Sequence, residues 1–439
     1  MADTVEPDAQ AKNEGEEAQK PYSTPEQPSA KDLPPLWRNR DYMLLWSGQV
    51  VSVLGGGISA IVFPLLILAL TKSPAAAGFA GAFASLPYLL FSLPVGALID
   101  RWDRKRVMIL CDLGRAISLA TVPVALYFDV LTVWQLYINA FIEGTLYVFF
   151  NIAEVAALTR VVNKLQLPQA SAQNEAGFIA ANLVGAPLGG FMYQSISRLF
   201  PFIFDSISYL FSAISLMFIR TTFQEERAKT ERHLGREISE GLSWLWHHPL
   251  IRFMAFLTGG GNFVFSGSGL ILIVLAQQVM GASPGEIGTM FSIGAAGGIL
   301  GSVVGGRIQK RFRFGQVIVS VMWLQALLFP LYIFAPNIFV LGAISALTFA
   351  TTPIYNIVQF SYRLALIPDK LQGRVNSTFR LLAFGFQPIG SALAGVLLEQ
   401  IGIFPTLWVF AGALVILTVL ATLNSHVRNA RPIEQVEAV

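Results

Sequence analysis

Glu143 sits inside an apolar segment with Asn139 and Tyr147 four residues to either side, Asn151 four further on and Glu154 three beyond that. At helical spacing these residues share one face, a polar stripe on an otherwise apolar element. Polar side chains set within hydrocarbon are by default functional, and a carboxylate there can bind and release a proton, so Glu143 is the candidate proton carrier. Hydrogen bonding between helices is the plainer use of the same stripe. Thr352, Asn356, Gln359 and Arg363 make a second such stripe. Asp205, toward the outer end of its own segment, is either a rival proton site or a residue that caps or pairs. Other chemistry is not spelled out. Four scattered histidines (His233, His247, His248, His426) and a lone Cys111 offer neither a metal cluster nor a disulfide. Gly55-Gly56-Gly57 and Gly259-Gly260-Gly261 lack the lysine and the strand-to-helix setting of a phosphate loop. With no Ser-His-acid arrangement either, we expect neither an enzyme nor a nucleotide-driven pump, and no cofactor.

The elements that must position these residues are membrane helices. Hydrophobic residues make up 54% of the chain and charged ones 13%, against about 25% charged in soluble domains. Windows of about 20 residues, the length that crosses a bilayer core as helix, give twelve candidates, centred near Gly56, Leu89, Leu119, Leu146, Val184, Ser212, Phe265, Ala296, Leu327, Leu347, Phe386 and Val415. The expected fold class is therefore an all-α integral membrane protein. Residues 1–40, acidic and proline-rich without an apolar run, read as a disordered tail. They also lack the apolar core of a cleavable signal, which leaves targeting to the first membrane helix.

Between the second and third apolar segments stands Asp100-Arg101-Trp102-Asp103-Arg104-Lys105-Arg106, six charges in seven residues, which must be a loop at the membrane surface. The later even connections are also cationic (Arg160 and Lys164; Lys229, Arg232, Arg236 and Arg252; Arg307, Lys310, Arg311 and Arg313; Lys370 and Arg374), whereas the odd ones hold little beyond Lys72 and Arg198. That asymmetry places both termini in the cytoplasm. The net charge of +3 thus reports topology, and no basic, aromatic-interleaved patch suggests nucleic acid. Asp112 and Arg115 lie three apart and can pair on one helix face.

The chain also repeats itself. Gly55-Gly57 recurs as Gly259-Gly261, Val95-Gly96 as Val304-Gly305, Asn151-Ile152 as Asn356-Ile357, and Pro187-Leu188-Gly189 as Pro388-Ile389-Gly390, all at offsets of 201 to 209. Four pairs in order argue for a duplicated six-helix unit, the parallel-repeat plan of one transporter class. Its divisions are a six-helix bundle over 41–220, a linker over 221–250, a second bundle over 251–427 and a tail over 428–439.

Over this stretch the sequence resembles the major facilitator superfamily, most strongly in Gly96-x-x-x-Asp100-Arg101-x-x-Arg104-Lys105. Within it the chain looks most like the branch of the enterobactin exporter and macrolide efflux proteins. Asp112-x-x-Arg115, Asp205-x-x-Ser208, and Ile367-Pro368-Asp369 followed by Gly373-Arg374-Val375-Asn376-Ser377 carry that match.

The resemblance implies that Gly96, Asp100, Arg101, Asp103 and Arg104, supported by Asp112 and Arg115, latch the cytoplasmic side when the outside is open. The matching second-half loop has Gln309 in place of Asp100, which implies a weaker latch there. The resemblance also implies that both polar stripes line a central cavity, with Phe149, Phe150, Tyr147, Tyr355 and Phe265 as neighbours. Gly185, Pro187, Gly189 and Gly190 are similar to the family's antiporter signature with the proline one residue late, and with Pro388 and Gly390 they serve helix packing. The branch often places an acid in the first helix where this chain has Gly56, so the proton role falls to Glu143.

The implied function is a monomeric plasma-membrane exporter of small amphiphilic molecules (a drug, a siderophore or another secondary metabolite), driven by proton antiport. The alternatives are a lipid or lysolipid flippase, and a transport-dead receptor or assembly partner.

Overall fold

The computed structural model describes residues 33–99, 101–224, 234–368 and 371–430. Most of the expected tail (1–32), Asp100 of the latch, 225–233 of the linker, Asp369, Lys370 and the end of the second tail (431–439) lie outside them.

The described chain is helical throughout, and twelve of its stretches are long and apolar enough to cross a membrane. In the first half these are α1 (Arg40–Thr71), α2 (Pro74–Ile99), α3 (Arg104–Tyr127), α4 (Val133–Val161), α5 (Leu167–Ser195) and α6 (Phe200–Phe218). A shorter α7 (Leu234–His247) leads to the second half: α8 (Pro249–Val274), α9 (Pro284–Arg311), α10 (Phe314–Leu328), α11 (Ile338–Leu366), α12 (Gln372–Gly385), α13 (Gln387–Gln400) and α14 (Ile403–Leu423). Each of the twelve centres expected from hydropathy falls inside one of the spans. An even number of crossings brings residues 33 and 430 to one face of the bundle, here called the terminal face, and the opposite one is the distal face.

Local sequence sets the helix ends. Asn39, Asp103, Thr132 and Asn337 accept backbone N–H groups at the starts of α1, α3, α4 and α11, and Ser283 with Glu286 forms a capping box on α9. The eleventh crossing is broken at Phe386, between α12 and α13, where Pro388 cannot donate to the preceding turn. Side chains of α8 reach backbone carbonyls on both sides of this break. Asn262 Nδ2 donates to Ala383 O at 2.8 Å and Ser266 Oγ to Gln387 O at 3.0 Å.

Lipid-facing positions are apolar. Leu110, Ile117 and Val124, seven residues apart on α3, are all more than half exposed, as a helix wetted by hydrocarbon requires. Inside, the core divides in an informative way. On the distal side one apolar cluster runs through both halves, from Ile61, Leu65 and Phe202 to Ile271, Ile287 and Phe410. Toward the terminal face the halves have separate cores, around Leu45, Met108 and Phe150 in the first and Met254, Ile318 and Phe379 in the second.

Candidate functional site

Contacts between the halves gather at the distal side. Glu399 of α13 accepts from Ser73 Oγ and, at 3.1 Å, from Ala75 N at the start of α2. Gln194 Oε1 of α5 accepts Gly285 N at the start of α9, at 3.1 Å. Each half thus caps a helix of the other, and Gln194 and Glu399 stand 205 apart, the offset of the sequence repeat. Small residues let the backbones close. A Cβ at Gly190 would collide with Pro284 O, one at Gly288 with Ala186 O, and one at Gly78 would come within 2.7 Å of Gly395 Cα. Nearer the middle, Tyr88 of α2 meets Phe384 (ring centres 5.2 Å apart) and the Arg380 guanidinium (5.6 Å). At the terminal ends of α2 and α12, by contrast, a Cβ at Gly96 or Gly373 would meet nothing within 4 Å. The structure is closed distally, with Gly96 facing open space.

Of the residues expected to form the latch, Arg101 is exposed, Asp103 caps α3 by accepting Arg106 N at 3.1 Å, and Arg104 is buried with Nη1 on Phe223 O at 3.2 Å. Lys105 Nζ donates to Met217 O and Ile219 O, at 3.2 and 2.7 Å, where a cation offsets the negative end of α6. These cations therefore bind the first half together as well as lying in the signature loop.

A cavity of about 590 Å³ opens between the halves just inside the distal closure. Its wall is mostly small and apolar, with rings from Phe63, Phe291, Phe349 and Tyr209, and it includes Asn139, Glu143 and Asp205. Phe149, stacked on Trp102 at 6.1 Å, and Phe150, in the first-half core, lie elsewhere, and Phe265 packs beside the distal cluster.

Glu143 is held by a three-membered network. Arg115 of α3 donates to its Oε1 through Nε at 2.8 Å and Nη2 at 2.5 Å, and Tyr209 of α6 donates its hydroxyl to the same oxygen at 2.7 Å. Arg115 Nη2 also reaches the Tyr209 oxygen at 2.6 Å, with its guanidinium 4.0 Å over the Tyr209 ring. Asp112, fully buried, stands 3.9 Å from Arg115 Nη1, so the sequence neighbour is the longer of the two ion pairs.

Asp205 has a different setting. Its carboxylate accepts Ser59 Oγ from α1 and, at 3.2 Å, Ser208 Oγ. A Cβ on Gly55 would collide with Asp205 Oδ1 and Ser208 Oγ. The first glycine of the triplet therefore makes room for the Asp205-x-x-Ser208 motif. Sequence reading missed Ser59, Tyr209 and Gly55 as members of this site. Serines and a tyrosine within apolar helices gave the only signal for the first two.

The rest of the fourth-helix stripe lies on both sides of Glu143, Asn139 toward the distal face and the others toward the terminal one. Asn139 is buried between Ser118 Oγ (3.1 Å) and Thr121 Oγ1 (3.2 Å), Tyr147 is half-exposed, and Asn151 and Glu154 are partly buried. On α11, Thr352 and Asn356 are exposed, Tyr355 lies 2.9 Å from Thr258 Oγ1, and Gln359 and Arg363 are buried. Gly185 and Gly189 of α5 seat against Gly57 and Ile58 of α1, and Gly390 against Phe263 O of α8, with Pro187 and Pro388 within and at the start of their helices.

Residues 45–384, and in a second overlapping match 263–438, fit the Major Facilitator Superfamily. The multidrug efflux pump Tap of Mycolicibacterium fortuitum is 28% identical over 407 residues, covering 88% of this chain and 96% of that protein. Macrolide efflux protein A of Streptococcus pyogenes is 22% identical over 372 residues, covering 84% and 91%. Among solved structures, a point mutant of the nucleoside transporter NupG superposes with a TM-score of 0.73 at 15% identity, over 87% of this chain and 99% of that one. A bacterial homologue of the human lysosomal transporter Spinster, in an inward-facing, unoccupied conformation, gives 0.68 at 14% identity, over 89% and 98%. At such identities the structural likeness speaks for the fold.

Proposed function

The chain belongs to the major facilitator superfamily, a family of membrane transporters, and from that premise we propose that it exports small amphiphilic molecules across the plasma membrane in exchange for protons. The observation that carries this reading is the pair of carboxylates, Glu143 and Asp205, on one mostly apolar cavity between the two halves. An apolar wall takes the body of an amphiphile, and the carboxylates take its polar group or a proton. The efflux relatives support the direction of transport and a drug-like cargo.

The cationic even loops support a cytoplasmic terminal face, and on this reading the arrangement described is inward-open. Cargo enters from the cytoplasmic side while the clasps of Glu399 and Gln194 hold the outside shut. Rocking of one half against the other then opens the distal side and brings the Gly96–Arg104 loop into its latched position. A proton arriving at Glu143 from outside removes its charge and releases Arg115 and Tyr209. Departure of the proton to the cytoplasm re-forms the network. Glu143 is thus the exchanging site, with Asp205 held by hydroxyls beside it.

The test is accumulation of a fluorescent amphiphilic dye in inverted membrane vesicles with and without an imposed proton gradient. Gradient-dependent uptake by the intact protein, lost in Glu143→Gln, supports the reading. Uptake that ignores the gradient removes proton exchange, and absence of any uptake removes the amphiphile.

A further inference from the structure

The two halves answer their buried arginines differently. Arg115 in the first half has two carboxylates in reach. Arg363 in the second is 5% exposed and, among the described residues, has neither an ion pair nor a hydrogen bond. Its guanidinium rests 3.9 Å from the centre of the Phe379 ring and 5.2 Å from that of Phe360. A second cation, Arg380, and the Tyr355 hydroxyl act on it electrostatically. Gln359, one turn away on α11 and 6% exposed, also has an Nε2 with no acceptor. Arg380 is exposed, reaches across to Tyr88 of the first half, and has no acidic partner among the described residues.

An unpaired cation within a membrane protein costs several kcal/mol, whereas each cation–π contact returns about 0.5–2 kcal/mol. Two neighbouring arginines deepen that deficit. What would close it is an anion entering from the terminal side, which guanidinium forks bind bidentately when it is a phosphate or carboxylate. The rings of Tyr88, Phe360, Phe379 and Phe384 around the arginines suit an apolar body attached to the anion.

We propose that Arg363 and Arg380, with the unpaired amide nitrogen of Gln359, form an anion-accepting subsite between α11 and α12 of the second half, which takes the phosphate- or carboxylate-type head of an amphiphile. It complements the acidic cavity of the first half and rests on the export reading only in assigning the anion to cargo. The same chemistry is offered by an anionic lipid headgroup and by free phosphate.

The experiment is calorimetric titration of hexyl phosphate into the full chain, held in nanodiscs of phosphatidylcholine. The expected result is saturable binding that weakens at least tenfold in Arg380→Gln and in Arg363→Gln, and less in Arg363→Lys. Arg380 is exposed, so its variant reports even where Arg363→Gln folds poorly. Competition by phosphatidylglycerol in the nanodisc assigns the subsite to a headgroup, competition by inorganic phosphate to a free anion, and indifference to both to amphiphilic cargo. No binding of hexyl phosphate, or binding unchanged in both glutamine variants, overturns the proposal. Dye accumulation in vesicles, run on the same proteins, separates the two readings: dye transport intact without anion binding removes this subsite alone, and anion binding without dye transport removes the export reading alone.

Discussion

Removing the Glu399 side chain tests the distal clasp. In the closed arrangement its carboxylate accepts two donors at the first turn of α2, Ser73 Oγ and Ala75 N, from the opposite half of the molecule. A side-chain cap is worth about 1 kcal/mol at a helix start, and a negative charge there adds about 0.5 kcal/mol at an exposed site. Both terms vanish when the halves part distally, so Glu399→Ala lowers the ratio of distally closed to distally open molecules by about tenfold. Glu399→Gln keeps an acceptor and loses the charge, which gives about a twofold shift. Gln194→Ala removes one neutral hydrogen bond on the symmetry-related side, worth about 1 kcal/mol, or about fivefold. The assay is pulsed-dipolar distance measurement between spin labels at Val130 and Phe334, exposed positions at the distal ends of the two halves, with native Cys111 buried. An unchanged distance distribution in Glu399→Ala would refute the clasp, and a shift in Glu399→Gln as large as in Glu399→Ala would refute the share given to the cap.

Three further outcomes follow from packing and charge. Gly55→Ala drives a methyl into Asp205 and Ser208 and should cost about 1–3 kcal/mol by overpacking, seen as a lower melting temperature that Ser208→Gly partly restores. Arg115→Ala strands Glu143 and Tyr209 and should cost about 3–5 kcal/mol, with Arg115→Ala/Glu143→Gln more stable than the single variant in the same melt. Gly190→Leu places a side chain where Pro284 O now sits. It should therefore hold the distal side apart, read as a longer Val130–Phe334 distance in the same spin-label measurement.

Much of this arrangement was legible in the sequence because the bilayer is a strict solvent. Twelve apolar runs, the cationic loops and the repeat at about 205 residues follow from hydropathy, charge and spacing, and all twelve spans stand where those signals put them. The partners of polar residues were harder to read. Spacing of three residues pointed Arg115 at Asp112, but a long side chain reaches sideways, and its short contacts are to Glu143 and Tyr209 on helices 28 and 94 residues away in sequence. Likewise nothing local ties Gly55 to Asp205, since their contact is set by how α1 and α6 cross. Gln194 and Glu399 were within reach, as they obey the repeat offset and face Ser73-Pro74 and Ser283-Pro284, which repeat as well.

On the proposed mechanism Glu143 exchanges protons for cargo. Its most direct measurement is proton movement in liposomes loaded with a pH-reporting dye and carrying the purified protein, after an outwardly or inwardly directed gradient of an amphiphilic cation is imposed. Proton flow opposite to the cargo is expected in the intact protein, abolished in Glu143→Gln while cargo binding persists. Proton flow that survives in Glu143→Gln, or that is lost only in Asp205→Asn, would contradict it.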